Sequence, residues 1–286
     1  MFRKLFLVTI ALNFFCSCTQ LDQQEAIPSY VHIPSLKLQV SPDQGSSFHQ
    51  FKDVWVYANN EYVGAYEMPV TIPIVAEGNT EIKIYAGFRK NGMVTQPTRY
   101  PFLDPYVINV PLEKTKTDTI LPVLFYGGDV KFPFIEDFER IHFFNEEIDG
   151  DQETKVILTA AADAFEGANS GEITVSNNHP ILEAWYDIPK PIPVSPNQIY
   201  MELHYKSDIP FYVGFIGYKA GESPTRLINA LVLPKSSWNK IYFDFTDILN
   251  NYRGASYKMA VAAAYIKDTA KTEQHIYLDN FKVTHR

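Results

Sequence analysis

The chain has 286 residues, of which 46% are hydrophobic, 20% charged and 14% aromatic; that is enough for two domains with substantial cores and rules out a disordered polymer. The 33 Asp and Glu residues outnumber 25 Lys and Arg, and a net charge of -8 lacks the basic footprint that a phosphate backbone demands. Nucleic acid is therefore not an expected partner.

Arg3 and Lys4 precede an apolar run at 5–15, followed by Cys16, Ser17 and Cys18, which is the layout of a secretory signal peptide over residues 1–17. The run is shorter than the roughly 20 residues a spanning helix needs. Both cysteines of the chain sit here, so no disulfide framework is expected in the body. Phe15-Cys16-Ser17-Cys18 resembles a bacterial lipobox, although Phe15 and Cys16 depart from its commonest form. That resemblance implies that Cys18 becomes an acylated, palmitate-bearing first residue, which holds the protein at the outer membrane, at the cell surface, by lipid alone. Acyl chains supply about 0.8 kcal/mol per buried methylene, so no basic patch is required. An ordinary cleaved signal is the alternative. Residues 18–35 then read as a lipidated tether, and its Asp22 and Glu25 resemble a weak form of the acidic export signals of Bacteroidota surface lipoproteins.

Between 36 and 126 short alternating runs are broken by Gly, Pro and Asn, the pattern of a small antiparallel sandwich. Val54-Trp55-Val56-Tyr57 is a strand, 58–61 its turn, and 62–66 the return. Pro69 should interrupt the ladder because it has no amide donor, before a strand at 70–74. A turn at Glu77-Gly78-Asn79 then leads into a strand at 81–87. Gly64, Pro69, Gly78 and the strand after them resemble the PEGA-type bacterial surface module over about forty residues. The Pro-rich stretch at 97–111 is expected to wrap an edge.

Gly127 and Gly128 mark a junction, and a larger domain is expected over 127–286. Period-two strands with frequent turn signals recur, with one helical turn at 247–251 capped by Thr246. Phe134-Ile135-Glu136-Asp137-Phe138-Glu139, the segment 164–171, Trp238 before 241–245, and the last strand at 276–283 occur in an order that resembles the galactose-binding-like jelly roll, a family rich in carbohydrate-binding modules. The fold class expected is therefore all-β: a small Ig/PEGA-like β-sandwich followed by a larger galactose-binding-like jelly-roll β-sandwich. In that family, a carboxylate near the first strand and one in the last often share a structural calcium. The resemblance implies Glu139 and Asp279 for those positions, although two ligands fall short of a full shell and both carboxylates have simpler readings at a strand edge and a turn.

Catalytic constellations are weak. Glu146, Glu147, Asp149, Asp151 and Glu153 form an acidic cluster that opens like the strand of laminarinase-type glycosidases, but Gly150 interrupts it and a turn at Asp149-Gly150-Asp151 explains it more simply. The seven histidines lack zinc spacing, and no phosphate loop or serine elbow is present, so no enzyme is expected. Aromatics carry the remaining signal. Alternation puts Tyr200, Glu202, His204 and Lys206 on one face read as wet, Tyr212 and Tyr218 on another, and Trp185 beside Glu183 and Asp187. Rings flanked by carboxylates and amides suit either sugar stacking or a protein interface. Trp185, Tyr200, His204, Tyr212 and Tyr218 are the candidate ligand-binding residues. The leading expectation is a non-catalytic subunit of an outer-membrane protein complex; the alternative is a glycan-binding surface lipoprotein, and a glycosidase comes last.

Overall fold

In a computed structural model, the structure describes residues 26–95, 97–193, 198–267 and 270–286. Cys18 and the signal segment lie outside the described residues. No helix among the described residues is long and apolar enough to cross a membrane.

The first ten strands are β1 (Ser29–Ile33), β2 (Lys37–Leu38), β3 (Asp53–Ala58), β4 (Glu61–Glu67), β5 (Val70–Ile74), β6 (Gly78–Arg89), β7 (Pro97–Arg99), β8 (Tyr106–Leu112), β9 (Thr117–Thr119) and β10 (Val123–Leu124). One sheet runs β4-β3-β6-β7, with β8 also on β6; the facing sheet runs β5-β1-β9, and β10 pairs with β2. Val54, Val56, Ile82 and Ile84 from one sheet meet Val31, Ile33, Ile72 and Ile74 from the other in a single core, which makes this a sandwich. Asn59 and Asn60 both take positive φ in the β3–β4 turn, as a two-residue hairpin with the right twist requires. Beyond Pro69 the chain leaves the β4 sheet and pairs in the other one, the interruption expected of a residue without an amide donor. The 97–111 segment supplies β7 and β8, which pair one after the other along β6.

The tether expectation over 18–35 needs correction. Ser29, Val31 and Ile33 are fully buried and β1 lies between β5 and β9, because Ser-Tyr-Val-His-Ile alternates like any half-buried strand.

The remaining strands are β11 (Lys131–Glu136), β12 (Glu146–Glu147), β13 (Val156–Leu158), β14 (Gly171–Ser176), β15 (Ile181–Asp187), β16 (Ile199–Ser207), β17 (Phe211–Tyr218), β18 (Thr225–Val232), β19 (Lys235–Asp244), β20 (Ser256–Ala264) and β21 (Glu273–His285), with helix α1 (Thr246–Tyr252). They form a jelly-roll sandwich. Its inner sheet runs β13-β14-β21-β16-β19 with β11 also on β21, and its outer sheet runs β12-β15-β20-β17-β18. Met201, Leu203, Ile276 and Leu278 of the first meet Phe211, Val213, Phe215 and Val261 of the second. The cap of α1 differs from expectation: Thr246 is its first residue, and its hydroxyl accepts from the amide of Ile199 rather than capping the helix.

The two sandwiches are fused. Tyr200 and Tyr242, on the far side of the inner sheet, belong to the core of the first module, where Tyr200 packs on Phe88 and Phe102 at ring distances of 5.6 and 5.3 Å. Beside them Glu202, 1% exposed, accepts from the Tyr100 hydroxyl and pairs with Lys240 at 3.1 Å and Lys282 at 3.7 Å. Both ammonium groups reach back across the interface, Lys240 to the Phe48 carbonyl at 2.9 Å and Lys282 to the Tyr126 hydroxyl at 2.6 Å. Burial pushes the Glu202 carboxyl up, but Lys282, Lys240 and the Tyr100 hydroxyl outweigh it and hold the group below the ordinary carboxylate range. Burial pulls Lys282 down to about 8, against the attraction of Glu202.

Breaking a buried pair strands the remaining charge at a cost of about 3–5 kcal/mol. Glu202→Gln should therefore lower unfolding free energy by about that amount, read from urea denaturation. A loss comparable with that of an exposed surface pair would mean that water reaches the cluster.

Candidate functional site

Because the first module covers the inner sheet, the broad free face of the second module is the outward side of the outer sheet. Its rows follow from register. Trp185 pairs with Ala260, which pairs with Gly214; Glu183 pairs with Ala262, which pairs with Tyr212 and then Leu231. Asp187 pairs with Lys258, which pairs with Ile216 and then Arg226, and Tyr218 pairs with Ser256. The β20 positions between the larger side chains are thus small. Gly214 is also obligatory, since a Cβ there would stand 2.5 Å from the Leu227 carbonyl oxygen at the bulge between β17 and β18.

Trp185, Ile216 and Ala260 form a small satellite cluster on this face, with Tyr218 and Ile228 packed against it. Trp185 is only 9% exposed, so it anchors the face rather than offering an open ring. Its indole Nε1–H donates to Glu183 Oε1 at 2.8 Å, and Arg226 holds the other oxygen of the same carboxylate at 2.9 Å. Tyr212, 44% exposed, is the open ring, beside Leu231 at 42%. Tyr218 is half-buried, with Lys258 over its ring; that ammonium binds Glu146 at 2.6 Å and lies 3.6 Å from Asp187. Burial raises the Tyr218 phenol despite Lys258, keeping it a neutral hydroxyl that can donate or accept. From Tyr212 to Tyr218 the strand spans about 20 Å at the usual rise per residue. The face therefore offers two phenols, an exposed apolar ridge and three carboxylates held by two cations.

Trp185, Tyr212 and Tyr218 thus lie together, and Glu183 and Asp187 share the face of Trp185 as alternation implied. Tyr200 and His204 do not join them, and the reading of their face as wet is corrected. Tyr200 is 3% exposed under Phe88 and Phe102. His204, also 3% exposed, stacks on Phe165 at 4.2 Å with Phe48 edge-on at 6.5 Å. Arg226 and Lys258 were missed by sequence reasoning, and Glu146 was noted only in the acidic cluster; the signal that could have joined them to this face was alternation on three separate strands.

Asp149-Gly150-Asp151 forms a turn, as its composition suggested, while Glu146 and Glu147 form β12. Gly150 has φ 84°; Asp149 accepts from the Asp151 and Glu183 amides at 2.8 and 2.7 Å, while Asp151 accepts from the Glu153 amide and pairs with His179 at 2.9 Å. The Asp149 and Asp151 carboxylates are committed to holding this turn and tying it to Glu183 and His179. Glu139 and Asp279 hold one loop from two sides. Glu139 accepts from the Ala168 amide at 2.9 Å, and Asp279 accepts from the Glu166 amide at 3.2 Å and the Ser170 hydroxyl at 2.7 Å. Burial raises Asp279 to about 7 even against those hydrogen bonds. Among the described residues no group of three or more His, Cys, Asp or Glu is placed to hold a metal ion.

No family model matches the chain, and no curated protein matches it. Among solved structures it is similar to a family 30 carbohydrate-binding module of the cellulosomal cellulase Cel9D-Cel44B of Clostridium thermocellum, at 11% identity over 54% of this chain and 96% of that one, with a TM-score of 0.42. It is also similar to a family 11 carbohydrate-binding module from Clostridium thermocellum in complex with a β-1,3-1,4-mixed-linked tetrasaccharide, at 16% identity over 54% and 94%, with a TM-score of 0.37.

His204 gives a pH prediction. Burial first, then Lys240 and Lys282, push it down to about 2, and its Nδ1 has no hydrogen-bond partner. A base whose folded pKa is depressed contributes stability that is complete above its unfolded value of about 6.5 and fades as pH falls below it. His204→Phe should lessen the drop in melting temperature between neutral and mildly acidic pH; an unchanged drop would place acid sensitivity elsewhere.

Proposed function

We propose that the second module is a non-catalytic glycan-binding domain and that the outward face of its outer sheet is the binding surface. The observation that carries this reading is the alignment of Tyr212 and Tyr218 on one strand, beside a lane of Ala260, Ala262 and Gly214 and a rim of Glu183, Arg226, Lys258 and Asp187. Sugar rings bury an apolar face on an aromatic while their hydroxyls take directed hydrogen bonds, and both kinds of group are adjacent here. Tyr212 is the stacking ring, the Tyr218 hydroxyl a hydrogen-bonding group, and Trp185 the support beneath Glu183.

A protein partner in an outer-membrane complex is the second reading, and one feature favours it. On the outward face of the β3 sheet, Trp55, Tyr57, Tyr62 and Tyr85 form a continuous tray with ring spacings of 5.3–5.7 Å, and Arg99 lies 4.9 Å above Tyr85. Trp, Tyr and Arg are the residue types that dominate protein-binding hot spots.

Isothermal titration with a panel of neutral oligosaccharides tests the glycan reading. Tyr212→Ala and Tyr218→Ala should each weaken binding about tenfold, the worth of roughly 1.4 kcal/mol, while Tyr212→Ala leaves stability within about 0.5 kcal/mol. Trp185→Ala should instead cost about 3 kcal/mol of stability. A wild-type protein that binds none of the panel at millimolar sugar would overturn the reading.

Placement belongs to the same proposal: acylation at Cys18 holds the modules at the outer membrane, facing the cell surface. Metabolic labelling with palmitate should mark the wild type and not Cys18→Ala, and an unlabelled wild type would refute the anchor.

A further inference from the structure

Between the two modules lies a cleft of about 510 Å³, within the size range of small-ligand sites. Gln50, Lys52, Arg89 and Asn91 of the first module face Leu231, Leu233, Lys235 and Asn239 of the second across it. Its charge is unusual for this chain: Lys52, Arg89, Lys235 and Lys240 line it against Glu67 alone, in a protein of net charge -8. Two of these cations are committed, Arg89 to Asp53 at 3.1 Å and Lys240 to Glu202 at 3.1 Å. The ammonium groups of Lys52 and Lys235, one from each module, have no hydrogen bond or ion pair among the described residues. The amides are half used as well. Gln50 donates to Asn239 at 3.1 Å, which leaves its carbonyl oxygen free, and Asn91 accepts from the Asp244 amide at 2.9 Å, which leaves its NH₂ free. Leu231 and Leu233, 42% and 61% exposed, supply an apolar wall.

The cleft also adjoins the glycan face. Leu231 pairs with Tyr212 on the neighbouring strand, so a chain of sugars lying on Tyr212 meets the mouth of the cleft by crossing the edge strand β18. Resting on the reading of that face as a glycan surface, we infer that the cleft is a subsite for an acidic sugar: a uronate whose carboxylate sits between Lys52 and Lys235, whose hydroxyls meet the Gln50 and Asn91 amides, and whose ring lies on Leu231 and Leu233. Cations gathered along one cleft focus the field there and raise the local concentration of an anionic unit, which suits them to selecting one.

The test titrates wild type, Lys52→Glu/Lys235→Glu and Tyr212→Ala/Tyr218→Ala with oligogalacturonate, matched neutral oligosaccharides and sodium sulfate. Wild type should bind the uronate oligomer more tightly than the neutral one, with affinity that falls as salt rises. The charge-reversed variant should lose about tenfold or more for uronate alone. Equal loss for neutral sugar, unchanged uronate binding, or sulfate competing as well as uronate would each overturn the assignment. A Tyr212→Ala/Tyr218→Ala variant that keeps full affinity for neutral sugar while charge reversal removes uronate would sink the outer-face reading and leave the cleft standing. Circular dichroism and melting of the charge-reversed variant establish that both exposed lysines were replaced without unfolding.

Discussion

One buried carboxylate with two ammonium partners joins this molecule. Glu202 is inaccessible, and so are Lys240 and Lys282, whose side chains are 2% and 3% exposed. Taking three charges out of water is repaid only where every remaining donor is satisfied. Here Tyr100, Tyr126 and the Phe48 carbonyl do that, and all three come from the first module. The cluster is complete only when the modules are docked in one register, so it selects orientation while the rings of Phe88, Phe102, Tyr200 and Tyr242 supply the apolar area. The exposed surfaces follow from that docking: it closes one sheet of the jelly roll, leaves the other open, and creates the cleft lined by Lys52 and Lys235.

The open face divides its labour among strands. β15 gives the anchor and its carboxylates, β20 the small floor, β17 the phenols, and β18 the basic and apolar rim. Ion pairs between strands fix the polar groups of this face: Arg226 on Glu183, and Lys258 on Glu146. Such pairs contribute little to stability when exposed, but they hold the side chains they join in fewer rotamers.

Much of this was legible in the sequence, and the failures share a cause. Alternation located most strands and put Trp185, Glu183 and Asp187 on one face, because a period of two is a local property of the chain. The same alternation separated Tyr200, Glu202, His204 and Lys206 from the jelly-roll core, but it cannot show whether a second module covers that side. Glu202 looks like any solvated carboxylate until Lys240 and Lys282, far along the chain, arrive beside it. β1 carries its own alternation in Ser29–Ile33, but nothing local says that it pairs with β5 and β9, some forty and ninety residues downstream. The cleft, built from both modules, has no local signature at all. The Asp149-Gly150-Asp151 turn was readable because Gly150 and the short-range bonds from the Asp151 and Glu153 amides are local properties of the segment.

The place of β21 in the inner sheet carries a consequence for biogenesis. This strand pairs with β14, β11 and β16, so the latest of the described strands to be synthesised is the central plank of its sheet and also carries Lys282. The jelly roll cannot close before β21 emerges, since β11, β14 and β16 all pair on that strand. Until then the inner sheet lacks its central strand, and the Lys282 arm of the intermodule cluster is missing as well.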